Sequence, residues 1–186
     1  MRFVLPFVRH VDPASHLLVD PQNRIVRRVS DMRGMYGDAA AEAELVANGD
    51  PVLYDMLEGD ALNTPGDLAF CTTVLHPGKV GDEYFMTKGH LHVLRDRAEV
   101  YYILAGRGAL VCETPEGEVD VREVGAGDVY YVPGGWAHRT VNVGAEDLVF
   151  FAIYPAEAGH DYAFIEERGF RKRIVDDGQG GWKAVE

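Results

Sequence analysis

Three histidines and one glutamate, set in two clusters, constrain this chain more than any other feature. His90 and His92 flank Leu91, Glu99 follows, and His138 stands just after Pro133-Gly134-Gly135, with a strand-rich stretch between the clusters. Successive side chains of a β-strand point to opposite faces, so two imidazoles two positions apart leave the same face. Glu99 lies an odd number of positions beyond His92 and would face the other way on one unbroken strand. Val93-Leu94-Arg95-Asp96-Arg97 is therefore expected to bend, with Glu99 returning on a neighbouring strand and His138 arriving on a later hairpin. Three imidazoles and a carboxylate suit one divalent transition metal, whether iron, manganese, nickel, cobalt or zinc. A lone histidine is more often structural than a ligand; the constellation carries the reading.

The surrounding sequence reads as short strands. Val52–Leu57, Leu68–Leu75, Tyr84–Thr87, Glu99–Leu104, Ala109–Glu113, Val119–Val124, Val129–Val132, His138–Val143 and Leu148–Tyr154 are separated by turn signals such as Asn63-Thr64-Pro65-Gly66-Asp67, Pro77-Gly78 and Thr114-Pro115-Glu116-Gly117. Roughly eight to ten strands at short spacing predict a mainly β protein, a small barrel or jelly roll. One helix stands out, from Ala39 to Ala47, with Asp38 placed to cap its free N–H groups and Gly49 to end it. If Glu99 points inward, Tyr101 and Ile103 do too, and Val100, Tyr102 and Leu104 face outward. An outward face of that composition needs a cover, which argues for a homodimer.

With 186 residues and 47% hydrophobic side chains the chain can bury one core, and a single domain spanning 1–186 is expected. Within it, 1–26 reads as an arm or added edge strands, 50–155 as the barrel core and 156–186 as a closing segment and tail. A net charge of −12 argues against nucleic acid as a partner. It also means that an anionic substrate would need a locally positive site, for which the metal, Lys88 and His160 are the candidates. Cys71 and Cys112 both fall in strands, as small hydrophobes rather than a disulfide framework. The apolar run from Phe3 to Val8 is short and broken by Pro6, unlike a signal peptide, and nothing reaches membrane-spanning length. A cytoplasmic protein without membrane contact is the expectation.

Gly127 to Asn142 reads G-x5-P-x-G-x2-H-x3-N, which matches the second cupin motif at every position, and His90 to Gly106 is a variant of the first, with a longer gap before the glutamate and Tyr84 where a glycine is usual. Beyond the cupins in general, the chain resembles the cupin-type, archaeal-type phosphoglucose isomerases from about Arg27 to Phe170. The likeness rests on Asp50-Pro51-Val52, Thr72-Thr73-Val74-Leu75, Thr87-Lys88-Gly89-His90, Arg97-Ala98-Glu99-Val100-Tyr101, Trp136-Ala137-His138-Arg139-Thr140-Val141-Asn142, Ile153-Tyr154-Pro155-Ala156 and Gly159-His160-Asp161-Tyr162. It is interrupted at Glu157 and Ala163.

That resemblance implies a metal-assisted interconversion of glucose 6-phosphate and fructose 6-phosphate in a dimeric protein. It places the metal on His90, His92, Glu99 and His138, the four residues already reached from spacing. It places the phosphate on Thr73, Thr87, Gly89 and Tyr154, and the sugar among Tyr54, Tyr101, His160 and Tyr162. Lys88 would add the one positive group a phosphate needs. Glu99 would serve as carbon base in a route through a cis-enediol, whereas a direct hydride shift would leave the hydroxyl protons to Tyr101 or His160. The competing readings are a cupin Fe(II) dioxygenase on the same ligands and a non-catalytic sugar-binding cupin. On strand pattern alone, Tyr54, Tyr101 and Tyr154 are ordinary strand aromatics.

Overall fold

Short antiparallel strands organise the computed structural model, which describes residues 5–60 and 64–186. The first residues of the apolar run from Phe3, and Asn63 of the predicted turn, lie outside the described residues. In chain order come β1 (Asn23–Arg28), a 3-10 turn (Val29–Met32), α1 (Ala39–Ala47), β2 (Val52–Glu58), β3 (Leu68–Leu75), β4 (Lys79–Val80), β5 (Glu83–Tyr84), β6 (Leu91–His92), β7 (Glu99–Ala105) and β8 (Arg107–Glu113). They are followed by β9 (Val119–Gly125), β10 (Val129–Val132), β11 (Ala137–Asn142), β12 (Leu148–Pro155), β13 (His160–Asp161), α2 (Ala163–Arg168), β14 (Arg173–Asp176) and β15 (Trp182–Val185).

One sheet runs β1-β2-β3-β12-β7-β10, and a second runs β11-β8-β9. Leu53, Leu75, Ile103, Leu110 and Leu148, all without solvent exposure, belong to one continuous core, in a mainly β, jelly-roll arrangement. Burying side chains of this size contributes about 1.5–3 kcal/mol each relative to exposure. Single bridges of His90 to His138 and Met86 to Val141 attach the 86–90 segment to β11. Two small sheets, β13-β6 and β15-β14-β5-β4, complete the set.

The helix at Ala39–Ala47 forms as the sequence predicts, with the Asp38 carboxylate accepting the N–H groups of Ala40 and Ala41 at 3.0 Å. The nine predicted strands are all present apart from Tyr84–Thr87, of which only Tyr84 is in a strand; Thr87 instead donates its N–H to the Thr140 carbonyl, 2.8 Å away. The extra strands are mostly two to four residues long, and α2 is six, too short for periodicity to reveal. Tyr162 gives α2 no side-chain cap. What fixes α2 is burial of Ile165 and the clamp around Glu113, a carboxylate 1% exposed at the end of β8. Glu113 binds Arg168 through one oxygen and accepts the Arg171 N–H at 2.8 Å through the other.

Two connections differ from the spacing argument. β10 and β11 form no hairpin: β10 pairs with β7 and β11 with β8, so the Pro133-Gly134-Gly135 turn carries the chain from one sheet to the other. Likewise β7 pairs with β12 and β10, while β6 pairs with β13. Parity gives the face a side chain takes but not the partner of its strand. The predicted faces of β7 do hold: Glu99, Tyr101 and Ile103 are buried, and Tyr102 is 44% exposed. Part of the outer face of the large sheet is covered by the segment before β1, where Phe7 stacks on Phe70 at 6.5 Å and the Leu18 N–H donates to Thr72 Oγ1 at 2.9 Å.

Candidate active site

The fold brings His90, His92, Glu99 and His138 together, one donor atom from each lying within 4.8 Å of every other. Glu99 Oε2 stands 3.0 Å from His138 Nε2, 3.3 Å from His92 Nε2 and 3.9 Å from His90 Nε2. The chain orients the rings from behind. His92 Nδ1 is 2.9 Å from the Arg97 carbonyl and His138 Nδ1 is 3.1 Å from the Trp136 carbonyl. A carbonyl only accepts, so both Nδ1 atoms carry the hydrogen, and in the neutral rings both Nε2 atoms present lone pairs to the centre. The bend at Val93–Arg97 thus does two jobs: it reverses the chain and its last carbonyl fixes His92.

Electrostatics point the same way. Burial alone would raise the Glu99 carboxyl, yet the His138 and His92 rings against it hold it well below the usual carboxylate range. Burial, then the His138 and His160 rings, push His90 well below the ordinary histidine value. His92 moves the opposite way: burial pulls it down, but Glu99 and the Arg97 carbonyl outweigh that and raise it. The buried Nε2 atoms of His90 and His92 have no hydrogen-bond partner of good geometry. A carboxylate and inward lone pairs repel one another unless a cation sits among them, and unsatisfied buried nitrogens are costly. These residues fit a transition metal, and the outer hydrogen bonds are of the kind that orient metal-bound histidines.

In front of this cluster opens a pocket. The other sequence-predicted residues converge on it: Tyr54 from β2, Thr73 from β3, Thr87, Lys88 and Gly89 from the segment before β6, Tyr101 from β7, Tyr154 from β12, His160 from β13 and Tyr162 just before α2. Only His92 is absent from the pocket wall, since it reaches the cluster from the rear. The His160 ring lies 4.2 Å from that of His90 and 5.8 Å from that of Tyr154. Burial lowers His160, and burial with the Glu99 charge raises Tyr101 well above its ordinary value. A neutral imidazole and a protonated phenol therefore flank the cluster.

Lys88 is engaged elsewhere. Its ammonium is 2.6 Å from the Glu166 carboxylate on α2 and 4.9 Å from the centre of the Tyr162 ring. Three residues of this region escaped sequence reasoning. Glu166 lies on the unpredicted α2. Arg139 follows a ligand on β11 and so faces away from the cluster; its Nη2 donates to the Lys88 carbonyl at 3.0 Å and its guanidinium lies 4.2 Å over Phe170. Arg27 lines the pocket from β1. The signal for it was available, because Ile25 and Arg27 alternate with Val26 on a six-residue strand.

A family model described as Glucose-6-phosphate isomerase (GPI) matches residues 26–186. The glucose-6-phosphate isomerase of Thermococcus gammatolerans is 49% identical over 178 residues, spanning 96% of this chain and 93% of that protein. That of Thermococcus kodakarensis is 51% identical over 154 residues, covering 83% and 81%. That of Sinorhizobium medicae is 48% identical over 162 residues, covering 86% and 76%.

Proposed function

The chain belongs to the cupin-type glucose-6-phosphate isomerase family, and we infer that it interconverts D-glucose 6-phosphate and D-fructose 6-phosphate. The observation that carries this reading is the convergence of four inward metal-ligand atoms at the foot of a pocket rimmed by hydroxyls. His90, His92, Glu99 and His138 would hold one divalent metal, iron first, and when bound it would supply Lewis-acid stabilisation of charge on the sugar oxygens. Thr73, Thr87, Tyr154 and the Gly89 N–H are the phosphate donors in this proposal, with Lys88 contributing its backbone rather than its paired ammonium. Tyr54 and Tyr162 line the sugar.

Converting fructose 6-phosphate to glucose 6-phosphate moves one hydrogen from C1 to C2 and one proton from O1 to O2. A carbon base for an enediol route would have to be Glu99, the sole carboxylate among the described residues of the pocket wall. The same neighbours that keep Glu99 ionised make it a weak base. That favours a direct hydride shift as the second reading, with the protonated Tyr101 hydroxyl and neutral His160 placed to exchange the O1 and O2 protons.

We also propose a homodimer in the cytoplasm. Supporting it, Tyr102, Val129, Tyr131 and Ile153 are 44%, 68%, 61% and 37% exposed, and strand register sets them side by side on the outer face of the large sheet. Among the described residues no helix is long and apolar enough to cross a membrane.

The test is to strip the protein with a chelator and assay fructose 6-phosphate conversion before and after adding each metal separately. Metal-restored turnover that disappears in His138→Ala is expected. Folded, metal-binding protein without turnover under any metal would overturn the isomerase reading. Running the reaction in D2O separates the two routes, since only the enediol route lets solvent deuterium reach carbon.

A further inference from the structure

We propose that Arg27 is the cation that meets the substrate phosphate, a proposal that rests on the isomerase reading above. The chain carries a formal charge of −12, so a phosphate dianion approaches against the overall field and needs a positive group close at hand. Lys88 is already paired with Glu166. Arg139 is turned away from the pocket and spends its guanidinium on the Lys88 carbonyl and Phe170. His160 stands over the ligand cluster, its ring 4.2 Å from that of His90. Arg27 is left.

Its placement is specific. Arg27 pairs with Tyr54 across β1 and β2, and both line the pocket beside Thr87, Gly89 and Tyr162. The ladder is irregular next to this pair, with Arg28 opposite Val52 and Leu53 of β2 passed over, so Arg27 and Tyr54 are the last regularly paired residues before the break. The outward arginines on the same strand are occupied. Arg24 donates to the Asp55 carboxylate at 2.7 Å, and Arg28 to the Asp50 carbonyl at 2.7 Å. No carboxylate among the described residues forms an ion pair with Arg27. The inward arginine meets the Tyr54 hydroxyl, a neutral partner that leaves its charge unpaired, and a planar guanidinium suits phosphate oxygens two at a time.

The experiment compares metal-loaded wild type, Arg27→Met and Arg27→Lys. Readouts are KM and kcat for fructose 6-phosphate, and inhibition constants for inorganic phosphate and for a neutral hexitol. Arg27→Met is expected to raise KM and the phosphate inhibition constant by roughly 10- to 100-fold, the loss that follows from removing a hydrogen bond to a charged group. The hexitol constant should stay put, kcat should stay near wild type, and Arg27→Lys should recover part of the phosphate affinity. The salt dependence of KM should flatten in Arg27→Met. An unchanged phosphate constant would overturn the proposal. So would equal weakening of phosphate and hexitol, or a loss confined to kcat, since either marks a structural role. If wild type turned over no fructose 6-phosphate, the isomerase reading would fall on its own, and calorimetric phosphate binding to wild type against Arg27→Met would still decide what Arg27 does.

Discussion

Gly89→Ala is the sharpest probe of how the pocket is built. Gly89 has φ +74°, a left-handed conformation, and an added Cβ would lie 2.9 Å from the His138 carbonyl oxygen, 2.9 Å from Phe170 Cε2 and 3.0 Å from Arg139 Cβ. The conformation alone costs a non-glycine residue about 1–2 kcal/mol. Overpacking adds about 1–3 kcal/mol, because the oxygen it meets belongs to backbone that cannot swing aside. The total is roughly 2–5 kcal/mol, or roughly 4–20 °C in Tm for a chain of this size. Gly127→Ala is the control: φ is +95° there and nothing lies within 4 Å of the added carbon. It should show the conformational part alone, roughly 2–8 °C. Differential scanning calorimetry on metal-loaded protein reads both. Relief of the clash must push the 86–90 segment away from β11, which carries His138, so Gly89→Ala should also raise KM for fructose 6-phosphate and lower metal content, while Gly127→Ala changes neither. Equal Tm losses in the two variants, with KM unmoved in both, would refute the contact argument.

Metal binding should release protons in a pH-dependent way. Glu99 and the Arg97 carbonyl let His92 keep its proton to higher pH than an ordinary histidine in metal-free protein, and a ligand must be deprotonated to bind. Calorimetric titration in buffers of different ionisation enthalpy should therefore show more protons released per metal at pH 6.5 than at pH 8; no difference would remove the His92 argument. Glu113→Gln should loosen α2 and the tail behind it. The carboxylate is 1% exposed, but Arg168 and Arg171 are 31% and 56% exposed, so solvent screening limits the loss to about 1–2 kcal/mol. Faster proteolysis confined to residues beyond 162 is expected, and wild-type protease resistance would count against the clamp.

The sequence carried the faces of the strands better than their partners. Glu99, Tyr101 and Ile103 could be placed inward from period-2 parity, because burial acts on each residue through its own neighbours in the chain. That β10 joins β7 and β11 joins β8 could not be read, since both arrangements satisfy the same hydrophobic pattern. The four candidate ligands were legible because imidazole pairs and a carboxylate at these spacings have few other uses. Arg139 was not, because its role depends on lying opposite Gly89 and Phe170, residues far away in sequence. Glu166 shared that difficulty: a six-residue helix held by Ile165 and a distant Glu113 leaves no local periodicity. Arg27 was legible in principle, being alternate to Ile25, but a strand beginning among prolines gave little reason to apply parity there.

The metal-ligand cluster gathers side chains from strands that belong to separate sheets: His92 on β6, Glu99 on β7 and His138 on β11. An ion held there ties together parts of the backbone that no continuous ladder of hydrogen bonds joins. Whatever binds the folded chain and not the unfolded one adds to its stability by mass action. Loading and heat resistance are then one property measured two ways. A preparation with half its sites filled should melt in two steps, and the lower step would report missing ion rather than a partly folded species.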